Sequence, residues 1–124
     1  MLTRKLPPMA DFQYRIITIV ISRFQVNRGT NKIYVANYAN NTVTVIDGVT
    51  LQMSTMASPG GPEGIAVNPV TNKIYVSNLL GTVTVIDGAT LSTRTVVGGG
   101  CPWIAVYTVT NKIYAPTTRN TVSR

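Results

Sequence analysis

The sequence predicts an all-β fold built from a tandem repeat, and three observations carry that reading. A segment of about 40 residues recurs along the 124-residue chain. Inside each copy, apolar and polar residues alternate with a period of two, which places them on opposite faces of a strand. Turn-forming residues then interrupt the alternation at short, regular intervals. Four short antiparallel strands in each copy, with no helical period anywhere in it, make each copy one blade of a partial β-propeller of about two and a half four-stranded antiparallel blades.

The copies are explicit. TNKIYVANYANNTVTVIDGVTL begins at Thr30, TNKIYVSNLLGTVTVIDGATL at Thr71 and TNKIYAPTTRNTVS at Thr110, spacings of 41 and 39 residues. Related lead-ins precede them: RFQVNRG, GIAVNPV and WIAVYTV. Matches of this length do not arise by chance, so the repeat sets the domain organisation.

In chain order, residues 1–21 form an N-terminal segment without a defined element. Blade 1 (residues 22–61) is expected to use strands at 22–27, 31–37, 42–47 and 52–57. Blade 2 (residues 62–101) repeats them at 62–68, 72–78, 82–87 and 92–97. In its third strand, Thr82-Val83-Thr84-Val85 sends valines to one face and threonines to the other. Asn68-Pro69 with Thr71-Asn72, then Asn78 to Gly81, then Asp87-Gly88, supply the three turns. Blade 3 (residues 102–124) is incomplete, with strands expected at 103–107 and 111–115 before a stub.

The strings Ile33-Tyr34-Val35-Ala36-Asn37 and Ile74-Tyr75-Val76-Ser77-Asn78, each followed by TVTVID, resemble the YVTN β-propeller repeat family, which includes surface-layer and YncE-like bacterial proteins. The resemblance covers about Phe24 to Val122. It implies a secreted or cell-surface seven-bladed propeller, and its motifs specify a fold rather than an activity. Three features depart from the pattern. There are too few blades to close a ring. Trp103 stands where the preceding copy has Gly64, and Pro116 falls within the second strand of blade 3, where proline removes a ladder hydrogen bond. The expectation is therefore a fragment of a larger propeller protein, with a ring assembled from several chains as the alternative. Propeller-fold lactonases make a hydrolase fragment the runner-up function.

Composition narrows the chemistry. Only 12% of residues are charged, about half the usual share. The net charge is +7, which raises a third reading, a basic nucleic-acid-binding propeller. The distribution argues against it: Arg4, Lys5, Arg15, Arg23 and Arg28 are scattered, and Lys32, Lys73 and Lys112 are one repeat position seen three times. The chain has no histidine and one cysteine, Cys101, which excludes Ser-His-Asp and Cys-His catalysis, histidine-ligated metal and an internal disulfide. No cofactor or metal is expected. The apolar stretch Ile16 to Ile21 is too short to span a membrane, and the N-terminus lacks a convincing signal peptide.

Few residues remain as site candidates. Asp47-Gly48 and Asp87-Gly88 recur in register and read as structural turns: the aspartate caps its own backbone and the glycine takes a positive φ. Glu63 and Trp103 lie near the starts of innermost strands and are the candidate ligand-binding residues, a carboxylate and an aromatic platform at the mouth of a channel. Tyr34, Tyr75 and Tyr114 recur in register and read as packing between blades. Gly98-Gly99-Gly100 leads to another strand rather than a helix, so it reads as a linker and not a phosphate loop. Asn40-Asn41-Thr42 is a glycosylation sequon. The expected function is a non-enzymatic binding or structural module at a cell surface, with protein or glycan partners. Its open blade faces are expected to self-associate.

Overall fold

The structure is a computed structural model and describes residues 23–98, 103–116 and 122–123. The N-terminal segment 1–21, Cys101 and the pair Gly99-Gly100 lie outside the described residues. Three antiparallel sheets follow one another along the chain. The first contains β1 (Arg23–Asn27), β2 (Lys32–Asn37), β3 (Thr42–Asp47) and β4 (Met53–Ala57), paired in that order. The second repeats it with β5 (Pro62–Asn68), β6 (Lys73–Asn78), β7 (Thr82–Asp87) and β8 (Thr93–Val97). The third holds β9 (Ala105–Tyr107), β10 (Lys112–Pro116) and β11 (Val122–Ser123). Among the described residues the only helical element is the single 3-10 turn Tyr38–Asn40. The chain is thus a partial β-propeller.

Register converts the sequence alternation into faces. In blade 1, Tyr34 lies opposite Val45 and Ala36 opposite Val43, so these four share one face. In blade 2, Ile74 lies opposite Ile86 and Val76 opposite Thr84. The first set packs on the second: Tyr34, Val43, Val45, Ile65, Ile74, Val76 and Ile86 form one buried cluster. Each blade therefore has a trailing face, carrying Tyr-x-Ala, Tyr-x-Ser or, in blade 3, Tyr-x-Pro, and a leading face, carrying Ile-x-Val or, in blade 3, Ile-x-Ala. The second interface repeats the arrangement, with Val83, Val85 and Ala115 buried and Tyr75, Ile104 and Ile113 packed against them. Each fully buried Val or Ile contributes roughly 1.5–3 kcal/mol, so the core lies between blades rather than within them.

Polar groups align the blades. Asn27 Nδ2 donates to Asn72 Oδ1 over 3.0 Å, and Asn68 Nδ2 donates to Asn111 Oδ1 over the same distance. Ser58 Oγ, in the segment joining the first two sheets, is 2.9 Å from both Asn78 Oδ1 and Thr84 Oγ1. All four of these blade-2 and linker groups, Ser58, Asn68, Asn78 and Thr84, are buried, so each bond also avoids the cost of an unsatisfied polar atom.

Pro116 ends β10 instead of lying inside it, opposite Val122. A residue without an N–H is tolerated best at a strand terminus, so the third sheet tapers at the point where its ladder loses a donor.

Candidate functional site

The innermost strands β1, β5 and β9 lie side by side. The two repeat spacings of 41 and 39 residues make Arg23, Gly64 and Trp103 one repeat position seen three times. Gly64 is buried and carries no side chain. Blade 2 therefore puts nothing between its neighbours at this level, and the Arg23 guanidinium carbon sits 5.7 Å from the centroid of the Trp103 ring. That distance is a cation–π contact joining blade 1 to blade 3.

Beneath the pair is an open concavity of about 690 Å³ lined by Arg23, Gln25, Ile65, Trp103, Ile104, Ala105, Tyr114 and Pro116. Its walls are mainly apolar, with the guanidinium, the Gln25 amide and the two aromatic side chains as the polar handles. Trp103 is 66% exposed. A large exposed indole beside an apolar floor is the usual composition of a ligand pocket.

Of the two binding candidates from sequence, Trp103 lines this concavity. Glu63 does not: it is half-buried at the β-bulge between Pro62 and Gly64, where the β5–β6 register shifts. The tyrosine row also divides. Tyr34 and Tyr75 pack between blades, whereas Tyr114, on the trailing face of the last blade, lines the concavity. Arg23 and Gln25 were missed in the sequence, where Arg23 counted among scattered charges. Aligning the lead-ins could have found Arg23, since it shares a column with Gly64 and Trp103.

The Asp-Gly turns are built differently from the expectation. Asp47 Oδ1 accepts from the backbone N–H groups of Val49 and Thr50, and Asp87 Oδ1 from those of Ala89 and Thr90. Gly48 and Gly88, however, do not take the positive φ. That conformation falls on Leu51 (φ 66°) and Leu91 (φ 63°), which close the turns by donating back to the Asp47 and Asp87 carbonyls. The glycines are required by close approach. A Cβ on Gly88 would lie 2.7 Å from the Asn72 carbonyl oxygen and 2.6 Å from its Cγ, and a Cβ on Gly48 would meet Asn31 in the same way. Gly88 N–H donates to that same carbonyl over 2.8 Å. Asn72 thus passes against residue 88 on its way to Asn27 in the preceding blade.

Accepting these N–H bonds holds both carboxyls below the usual carboxylate range. For Asp47 the Thr50 N–H contributes most, then Val49, with Lys32 adding less. For Asp87 the order is Ala89, Thr90, then Lys73. Among the described residues no group of three His, Cys, Asp or Glu side chains is placed to hold a metal ion.

A second, smaller hollow of about 330 Å³ lies among Tyr38, Ala39, Asn41, Gly60, Gly61, Leu79 and Leu80. There Gly61 N–H donates to Asn41 Oδ1, and Gly60 and Gly61 both have positive φ.

No protein-family model matches the chain. A 47-residue stretch, 37% of the chain, is 53% identical to a PE-PGRS family protein of Mycobacterium tuberculosis, PE_PGRS18, and spans 10% of that protein. Two solved structures share the fold. Hydrazine synthase of Kuenenia stuttgartiensis superposes with a TM-score of 0.67 at 22% identity, over 78% of this chain and 28% of that one. A chain of a nidogen/laminin complex superposes with a TM-score of 0.68 at 17% identity, over 83% of this chain and 42% of that one. The chain thus spans less than half the length of each of these proteins. At such identities the two superpositions establish architecture alone, and the architecture they establish is that of a β-propeller.

Proposed function

We propose that the chain is a non-enzymatic binding module, part of a larger YVTN-type propeller, whose ligand seats in the concavity between Arg23, Trp103 and Tyr114. The observation that carries this reading is the Arg23–Trp103 contact across the inner ends of the blades. It sets an exposed indole beside an apolar floor, and aromatic anchors supply much of the energy in recognition sites. The ligand class is a protein segment or a glycan. Binding to protein is supported by the fold's occurrence in a nidogen/laminin complex. The non-enzymatic reading is supported by the absence of histidine from the whole sequence and by the commitment of Asp47 and Asp87 to turns. A cell-surface or extracellular setting is supported by the YVTN resemblance. Among the described residues no helix is long and apolar enough to cross a membrane.

Trp103 is the one tryptophan of the chain, so fluorescence excited at the red edge, where tyrosine does not absorb, reads this site alone. Titration with peptide and glycan panels is expected to shift or quench the emission, and Arg23→Ala is expected to weaken the response. A panel hit that Arg23→Ala leaves unchanged, or a silent Trp103 against hits found by calorimetry, would place the ligand elsewhere and sink the proposal.

A further inference from the structure

The chain carries two Asp-Gly bonds, Asp47-Gly48 and Asp87-Gly88, in the near-identical strings VIDGVTL and VIDGATL. Such a bond has a chemistry of its own, because glycine sets no side chain in the way of its nitrogen. The glycine nitrogen attacks the aspartic acid Cγ. The N–C bond forms, a carboxyl C–O bond breaks, and that oxygen leaves as water with the amide and carboxyl protons. Water then opens the cyclic imide. Opening at the original main-chain carbonyl leaves isoaspartate, with the chain routed through Cβ.

In this fold both reacting groups of the second bond are engaged elsewhere. Gly88 is buried, and its N–H donates to the Asn72 carbonyl over 2.8 Å. Asp87 Oδ1 accepts from the Ala89 and Thr90 N–H groups. Attack therefore waits for Gly88 to part from Asn72. Asn72 is held from the other side by Asn27, fully buried, whose Nδ2 donates to Asn72 Oδ1 over 3.0 Å. Leu91, which closes the same turn on the Asp87 carbonyl, packs against the core between blades 1 and 2.

We propose that Asp87-Gly88 is a gated modification site, convertible to isoaspartate, and that its gate is the Asn27–Asn72 contact between blades 1 and 2. Local separation of the two blades frees the Gly88 nitrogen. Conversion then makes a reversible opening permanent, because the main chain is one methylene longer across the turn. The first Asp-Gly bond supplies a comparison within the same molecule. Gly48 N–H also donates to an asparagine carbonyl, that of Asn31, over 2.8 Å. There, however, Asn31 is exposed, Gly48 is half-buried and Leu51 is 70% exposed.

The experiment ages the chain at mildly acidic pH and quantifies isoaspartate by fragmentation mass spectrometry. Trypsin places the two sites on separate peptides, Ile33–Lys73 and Ile74–Arg94. In urea the two bonds are expected to convert at equal rates. In the folded wild type Asp87 is expected to convert about fivefold more slowly than Asp47, the factor for one more hydrogen bond to break. Asn27→Ser keeps an oxygen that accepts the Gly29 N–H but removes the amide that reaches Asn72. It is expected to abolish the difference by raising Asp87 conversion alone. Asn68→Ser, at an equally buried position, cuts the bond to Asn111 instead and is expected to keep the wild-type ratio. Equal rates at the two sites of the folded wild type would overturn the proposal, whether or not the variants fold. So would a wild-type ratio in folded Asn27→Ser, or a rise at Asp87 in Asn68→Ser that matches it, since global unfolding would then be the route.

Discussion

Asn27 donates its side-chain amide to Asn72 Oδ1, 45 residues away in the next blade, while its own Oδ1 accepts the N–H of Gly29. Asn72 in turn accepts the Gly88 N–H on its backbone carbonyl. One asparagine pair therefore couples the first turn of blade 1, the first turn of blade 2 and the Asp-Gly turn of blade 2. Asn68 and Asn111 repeat the pair between blades 2 and 3.

Removing a donor from this ladder deletes a buried side chain that bonds two turns at once. Asn68 is fully buried, and its Oδ1 also accepts from the Val70 N–H. Asn68→Ala is expected to cost about 2 kcal/mol, seen as a lower midpoint in urea. Thr71→Ala, at an exposed position in the same turn, is expected to change stability by less than about 0.5 kcal/mol.

The glycine of the Asp-Gly turn is tested by the smallest side chain. Gly88→Ala is expected to destabilise by about 1–3 kcal/mol through overpacking against Asn72. Gly81 offers the contrast: its φ is 98° and a Cβ there would meet nothing within 4 Å, so Gly81→Ala is expected to cost about 1 kcal/mol through backbone strain alone. The two substitutions separate further in combination with Asn27→Ala. Only Gly88→Ala is expected to be non-additive with it.

The buried hydroxyl of Tyr34 predicts a gain. Its side chain is 0% exposed, and its oxygen has no hydrogen-bond partner among the described residues. Desolvation of the phenol raises its pKa. Tyr34→Phe keeps the packing and removes the unsatisfied group, so it is expected to be neutral or stabilising by up to about 1 kcal/mol in chemical denaturation. A clear loss of stability would mean that the hydroxyl has a partner, such as a buried water.

Acid tests the aspartate turns. Because the folded carboxyls of Asp47 and Asp87 titrate below their unfolded values, their contribution is complete above the unfolded carboxylate pKa. It is lost as pH falls through the depressed folded value. The melting temperature is therefore expected to decline on acidification below about pH 4. Asp47→Asn with Asp87→Asn is expected to flatten that decline.

Periodicity alone determined the strands of this chain. Val-x-Val and Ile-x-Val alternation leaves no freedom about which residues share a face, and a repeat seen three times fixes strand order and turn position to within a residue or two. The same information marked Asp47 and Asp87 as turn residues. It misassigned their glycines, because a left-handed residue and a sterically excluded Cβ leave the same mark, a recurrent Gly. Only the approach of Asn72 from a neighbouring turn distinguishes them, and Leu51 and Leu91 hold the positive φ.

Contacts between blades were decided by tertiary structure. No local rule pairs Arg23 with Trp103 80 residues later; stacking three inner strands with a glycine in the middle one does. The same stacking leaves Glu63 on a bulge outside the lining of that concavity and sends Tyr114 to its wall while Tyr34 and Tyr75 remain in the core. Strand formation depends on near neighbours along the chain, whereas a site between blades depends on which repeat follows which.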